Sequence, residues 1–183
     1  YMEWNEGGQI VICDAPVAFL DGYFIFPGTT TIAYIYDIAT GSLTQIGDTD
    51  FATSGDNTFF ISEINDGTNY DALDFAKPNS YPDKVIAAFS FHRLIVLFGT
   101  KTIEFWSDTG AAAFPFARQN GTTDEHGAIS AASIIKGNNA LYWIAEDRTP
   151  YMLQGFTSVP VQSMAVTEAI EGYGDISDCE GFY

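Results

Sequence analysis

Ile86 to Asp108, IAAFSFHRLIVLFGTKTIEFWSD, is the stretch whose reading decides the fold. Phe89, Phe91, Leu94 to Phe98, Ile103 and Phe105 are aliphatic or aromatic, and His92-Arg93 and Gly99-Thr100 interrupt them. Short apolar runs bounded by such pairs predict three consecutive antiparallel strands, because these side chains fit a pleated surface and the interruptions let the chain reverse. The same unit stands 71 positions earlier, since Gly28 falls under Gly99. Gly28-Thr29-Thr30-Thr31-Ile32-Ala33-Tyr34-Ile35-Tyr36-Asp37 shares G-T-x-T-I-x-aromatic-x-x-D with Gly99 to Asp108, without a gap.

The offset continues upstream. Val17 to Phe26, VAFLDGYFIF, lies over Ala88 to Leu97, with Asp21-Gly22 where the other copy has His92-Arg93. A weaker copy runs from Ala131 to Gly155, with turns at Gly137-Asn138-Asn139 and Glu146-Asp147-Arg148. Repeated small antiparallel sheets that bury their faces only against one another are the signature of a β-propeller. The expected fold is therefore all-β, with blade-like units at about 15–75, 84–118 and 128–162. Three units leave the ring incomplete, because propellers use about four to eight blades. Residues 1–183 are accordingly read as part of one propeller domain of a longer chain, a reading to which Tyr1 in place of an initiator Met adds.

Between the units the signals are local. Gln9 to Asp14, Ser42 to Ile46 and Asn57 to Ile64 read as strands, and Asn65-Asp66-Gly67 as a turn. Asp66 to Asp83 reads as a surface crossing: Pro78 and Pro82 bar a central strand, while Tyr70, Leu73, Phe75 and Tyr81 are expected to pin it down. A short helix is expected at about 163–171, capped by Ser163 and stopped by Gly172, with Met164, Val166 and Ile170 as its apolar positions. Tyr173 to Tyr183 is expected to return to strand.

The 24 acidic and 7 basic residues give a formal charge of −17. Such a surface repels polyanions and argues against gripping phosphates. No apolar run reaches the length of a membrane span. Cys13 and Cys179 lack a C-x-x-C spacing and read as free thiols.

Candidate chemistry is sparse. His92 sits in a turn, and Asp124-Glu125-His126 reads as a solvated polar loop, with no nucleophile motif beside either histidine. Asn65, Gly67, Asn69 and Asp71 alternate loosely like a calcium loop but lack its closing Glu. Arg93, Arg118 and Arg148 fall at comparable places in successive units, as a sialidase arginine cluster would require. The Asp-box of that class is incomplete at Ser54-Gly55-Asp56-Asn57-Thr58-Phe59. Trp4, Trp106 and Trp143 offer stacking surfaces, and the last two, lying within strands, read as packing between blades.

Thr68 to Ala76 (TNYDALDFA), Pro82-Asp83, His92-Arg93-Leu94, Leu97-Phe98-Gly99, Thr102 to Trp106 (TIEFW) and Phe114-Pro115-Phe116 form an ordered set. With Thr167 to Ile170 and Tyr173 to Ile176, it resembles the packaged-DNA stabilization proteins of short-tailed phages, the tail-hub or nozzle components, over about 21–182. The resemblance implies a non-enzymatic structural protein of the virion tail, assembled in the host cytoplasm as a homo-oligomer, a hexamer. It implies a place beneath the portal and its adaptor ring, where the protein extends the DNA channel. There it helps retain the packaged genome before the tail needle or plug is added. The DNA passes without sequence-specific binding, and no membrane is involved. No catalytic, cofactor-binding or metal residue is expected, and no binding residue is assigned. The alternative is a sugar-active or sugar-binding propeller, glycosidase-like or lectin-like.

Overall fold

A computed structural model describes residues 2–4, 8–30, 32–46, 57–71, 73–78 and 80–182. In chain order the strands are β1 (Met2–Trp4), β2 (Gln9–Cys13), β3 (Ala18–Leu20), β4 (Tyr23–Pro27), β5 (Ala33–Asp37) and β6 (Ser42–Ile46). There follow β7 (Phe59–Ile61), β8 (Phe75–Ala76), β9 (Val85–Phe91), β10 (Leu94–Gly99), β11 (Ile103–Asp108) and β12 (Phe116–Arg118). The series ends with β13 (Ile135–Gly137), β14 (Ala140–Ile144), β15 (Pro150–Gln154), β16 (Thr157–Pro160) and the helix α1 (Met164–Glu171). They form four four-stranded antiparallel sheets, in order β1-β2-β5-β6, β3-β4-β7-β8, β9-β10-β11-β12 and β13-β14-β15-β16.

The sheets stack face to face, and side-chain alternation supplies both faces of the inner ones. On β10, Ile95 and Leu97 join Ile25, Phe59 and Ile61 in a core between the second and third sheets. Val96 and Phe98 point the other way, into a core with Leu141, Trp143 and Leu153 of the fourth. A third core, with Val11, Ile35, Phe24, Phe26 and Phe60, joins the first sheet to the second. The quoted stretch thus lies in a sheet covered on both faces, which is why its strands read as nearly continuous apolar runs.

The repeat is visible in the turns. Asp21-Gly22, His92-Arg93 and Asn138-Asn139 open the second, third and fourth sheets, and all six residues have positive φ, from 48° to 94°. Two-residue turns of this hand match the twist of the strands they join.

Four sheets, not three units, are present among the described residues, and the 15–75 stretch is shared between two of them. The expected third strand of its repeat, Ile32 to Asp37, does not pair with β4. β5 crosses to β2, with Val11 opposite Ile35, and β6 follows it there. The partner of β4 is β7, in the register Pro27–Phe59, Phe26–Phe60 and Ile25–Ile61. In the third sheet Gly99 N–H donates to Thr102 O at 2.8 Å to close the turn before β11; in the second, Gly28 N–H donates to Thr58 O at 2.7 Å before β7. Thr58-Phe59-Phe60-Ile61 is therefore the structural counterpart of Thr102-Ile103-Glu104-Phe105. The ungapped echo at Gly28 followed a second strand with the same alternation, because alternation marks a strand without marking its partner.

β8 lies at a sheet edge, as Pro78 requires. Tyr70 and Phe75 pack onto the third core, between the first and second sheets, whereas Leu73 and Tyr81 are exposed. α1 begins at Ser163, whose hydroxyl accepts from Val166 N–H, and ends at Gly172, but none of its residues is buried. The expected strand after it does not form in 173–182. Backbone groups there find other partners: the Tyr173 and Gly174 carbonyls accept from Arg148, and Ser177 N–H donates to Asp175 in a local turn.

Candidate functional site

The densest polar structure lies where the β10–β11 turn meets the loops leading into the third and fourth sheets. Asp83, just before β9, is 7% exposed. One of its oxygens accepts from Lys84 N–H at 2.8 Å, Thr100 N–H at 3.1 Å and the Thr100 hydroxyl. The other accepts from Lys101 N–H at 2.7 Å, Thr102 N–H at 2.8 Å and the Thr102 hydroxyl at 3.2 Å. A carboxylate thus fills the nest of donors that a tight turn leaves unpaired. Gly99 is required there, because a Cβ would overlap the Asp83 carboxylate. The Gly99–Thr102 turn is itself packed by Gly127, whose Cβ would lie 2.5 Å from Gly99 O.

Glu104, 2% exposed on β11, accepts from Ser80 N–H at 2.8 Å and from Trp106 Nε1 at 3.1 Å, with the Arg118 guanidinium 3.7 Å away. Burying a carboxyl group costs free energy unless its oxygens are hydrogen-bonded, and these donors meet that need. Asp124 is also buried, not solvated as its loop setting suggested. Its carboxylate accepts from Ser158 N–H at 2.7 Å, the Ser158 hydroxyl at 2.9 Å and His126 N–H at 3.0 Å, so it fastens the third-sheet loop to β16.

Asp124, His126 and Ser158 bring together the residue types of a hydrolytic triad. The geometry differs from one. Both Asp124 Oδ1, at 3.0 Å, and Ser158 Oγ, at 2.7 Å, reach the same ring nitrogen, Nδ1. A proton relay needs the acid on one nitrogen and the nucleophile on the other. The ring lies against Tyr151, 4.4 Å between centroids. Burial, followed by the hydrogen bond its hydroxyl donates to Asp147, pushes the Tyr151 phenol up to about 12. Around this network opens a cleft of about 590 Å³, lined by Ser80, Tyr81, the 100–102 turn, Thr123, residues 125–127 and residues 145–147.

The other sequence candidates are dispersed. His92 and Arg93 occupy the β9–β10 turn, with the His92 ring edge-on to Phe91 at 4.1 Å. Arg118 binds Glu104, Ser80 and Asn120. Arg148, in the β14–β15 turn, donates to the carbonyls of Ile170, Tyr173 and Gly174 at 2.6–3.2 Å and holds the end of α1. Among the described residues the three arginines share no partner, so they do not form the substrate clamp that a sialidase needs. In the 65–71 loop Asp66 accepts from Thr68, and Asp71 from Leu73 N–H, each carboxylate closing its own turn. Trp106 and Trp143 sit in the cores, edge-to-face with Phe59 at 5.0 Å and Phe98 at 5.2 Å, as packing between sheets requires. The side chain of Trp4 and residues Ser54-Gly55-Asp56 lie outside the described residues. Cys13 is buried, its thiol donating to Ala15 O at 2.8 Å, and Cys179 is half-buried; among the described residues neither forms a disulfide, and burial pushes the Cys179 thiol up.

Asp83 and Glu104 lie in the Pro82-Asp83 and Thr102 to Trp106 segments that carry the resemblance, but no chemical motif marks them or Ser158 as buried polar junctions. The available signal was the G-T-x-T turn, whose exposed donors call for an acceptor nearby.

No curated protein matches the chain. Among solved structures it is similar to BamB from Moraxella catarrhalis, with 9% identity and TM-score 0.38 over 88% of this chain and 44% of that one. It is similar to Hsv2 from Kluyvelomyces marxianus, with 13% identity and TM-score 0.39 over 80% of this chain and 51% of that one. The chain spans about half the length of each. Residues 10–179, from β2 to beyond α1 and so through all four sheets, match the family model described as Bacteriophage P22 Gp10, beta-propeller. The chain belongs to that family of phage packaged-DNA stabilisation proteins, which are structural β-propellers of the virion.

Proposed function

We propose that the chain is part of a tail-hub, or nozzle, protein that extends the portal channel of a short-tailed phage and helps retain its packaged DNA. The family match over residues 10–179 carries this reading. The polar chemistry is consistent with contact instead of catalysis: the buried carboxylates Asp83, Glu104 and Asp124 are all committed to turns and sheet junctions. In this reading the protein is not an enzyme, assembles as a hexamer beneath the portal and adaptor ring, and meets a needle or plug protein at its far end. DNA passes it without sequence-specific contact.

The strand directions put Asp21, Asp37, Glu63, Asp66, Asp71, Asp74 and Asp108 at one end of the sheets, with Arg93 and Lys136. Lys77, Lys84, Lys101, Arg118 and Arg148 lie at the other, together with Asp14, Asp83, Asp124, Glu125, Glu146 and Asp147, so that the second end is nearly balanced in charge. An acidic end repels DNA phosphates and favours sliding over adhesion. Electron microscopy of virions, with the intact protein labelled, tests the assignment. Density on the tail axis below the portal is expected, and density away from that axis would end the reading.

A further inference from the structure

The two turn-closing hydrogen bonds bear on more than the repeat. Gly28 N–H to Thr58 O and Gly99 N–H to Thr102 O close the same turn in neighbouring sheets. In the third sheet Thr100-Lys101 lie between the paired residues; in the second, residues 29–57 take their place. The chain leaves β4 and re-enters β7 at one pinched point. The described part of the excursion, β5 and β6, adds nothing to its own sheet. It pairs instead with β2 over five residues, from Gln9–Asp37 to Cys13–Ala33, and supplies half of the first sheet. Ala33, Ile35 and Ile46 then bury themselves with Phe24, Phe26 and Phe60 of the second sheet.

We propose that β5 and β6, inserted within the β4–β7 turn, serve as a strap, completing the neighbouring sheet and binding it to the one from which the insertion springs. Two consequences separate a strap from an ordinary hairpin. The second sheet does not need it for strand pairing, because β4 and β7 are already joined at Gly28 and Thr58. The first sheet does, because without it β2 keeps only the three-residue strand β1 as a neighbour, and a two-stranded ribbon is at best marginally stable. The strap therefore makes β2, β5 and β6 one cooperative unit that opens apart from β4 and β7.

The test replaces residues 29–57 by Thr-Lys in the otherwise intact chain, so that Gly28-Thr-Lys-Thr58 copies Gly99-Thr100-Lys101-Thr102. Amide hydrogen exchange is read by mass spectrometry. Protection of β4, β7 and β9 to β11 is expected to persist while that of Gln9 to Cys13 is lost. Retained protection of β2 overturns the strap, and loss of protection in β4 and β7 overturns the insertion. Native-state exchange on the unaltered chain gives an independent reading that does not depend on how the variant folds. β2, β5 and β6 are expected to open together, ahead of β4 and β7; β5 opening with β4 and without β2 refutes the proposal.

Discussion

Removing the Asp83 carboxylate should be the most damaging polar substitution in the chain. Asp83→Ala removes an acceptor from six donors at once, the N–H groups of Lys84, Thr100, Lys101 and Thr102 and the hydroxyls of Thr100 and Thr102, of which Thr100 N–H keeps the Lys84 carbonyl at 3.1 Å. A hydrogen bond to a charged group contributes about 1.5–3 kcal/mol net, so six in sum would exceed any single substitution. Two things reduce the loss. Lys101 is exposed, so water reaches part of the turn, and the carboxylate's own desolvation cost is recovered. Breaking a buried charged site from one side costs about 3–5 kcal/mol, and we expect Asp83→Ala to fall there. For a domain of this size that lowers Tm by about 6–20 °C, measurable by calorimetry or urea denaturation. Asp83→Asn should recover less than half, since its amide NH₂ must face donors. Gly99→Ala is destabilising alone, because its Cβ overlaps the carboxylate, and should cost at least about 1 kcal/mol less in the Asp83→Ala background. A loss below about 1 kcal/mol for Asp83→Ala, or strict additivity with Gly99→Ala, would refute the reasoning.

His92 and Arg93 hold φ of 49° and 62°, which costs a Cβ-bearing residue about 1 kcal/mol each, so the double change to Asn-Gly should raise stability by about 1 kcal/mol in urea melts. Arg148 has φ of 64° and grips the end of α1, so Arg148→Gly should relieve the strained backbone while exchange at Met164 to Glu171 accelerates and β14 and β15 stay protected. Burial, then the charges of Asp71 and Glu63, hold the Asp74 carboxyl above its ordinary 3.8. A raised carboxyl contributes stability that is complete below pH 3.8 and lost as pH rises through its folded value. Asp74→Asn should therefore gain a few tenths of a kcal/mol at pH 7 and lose that advantage below pH 4, in melts at both values.

The sequence made the inner sheets legible because burial on both faces leaves dense apolar runs, and the turn pairs Asp21-Gly22, His92-Arg93 and Asn138-Asn139 punctuate them. What it hid was partnership. β5 alternates as a blade strand does, so the 71-residue echo pointed to it, while the true partner of β4 stands beyond the insertion. The candidate site was hidden for a related reason. Asp83 follows a proline in an irregular loop, and Ser158 is an ordinary strand serine; their roles arise only when distant turns meet. In the sequence Asp124 stands out only for its neighbours, Glu125 and His126, though its own buried oxygens fasten the sheets.

The chain's acidity therefore has two different physical meanings. At Asp83, Glu104 and Asp124 the negative charge is enclosed, matched by backbone donors or by Arg118, and it fixes the spacing of turns and sheets. At Asp21, Glu63, Asp71 and Asp74 the charge gathers at one end of the stack, where burial and then the Asp71 and Glu63 charges raise the Asp74 carboxyl. Enclosed charge is insensitive to salt, whereas exposed charge is screened within about 10 Å at 0.1 M. Salt should accordingly leave the junctions standing while it relaxes the repulsion at the acidic end, so the rigidity of the sheets and the long-range field they present to a polyanion are set by separate residues.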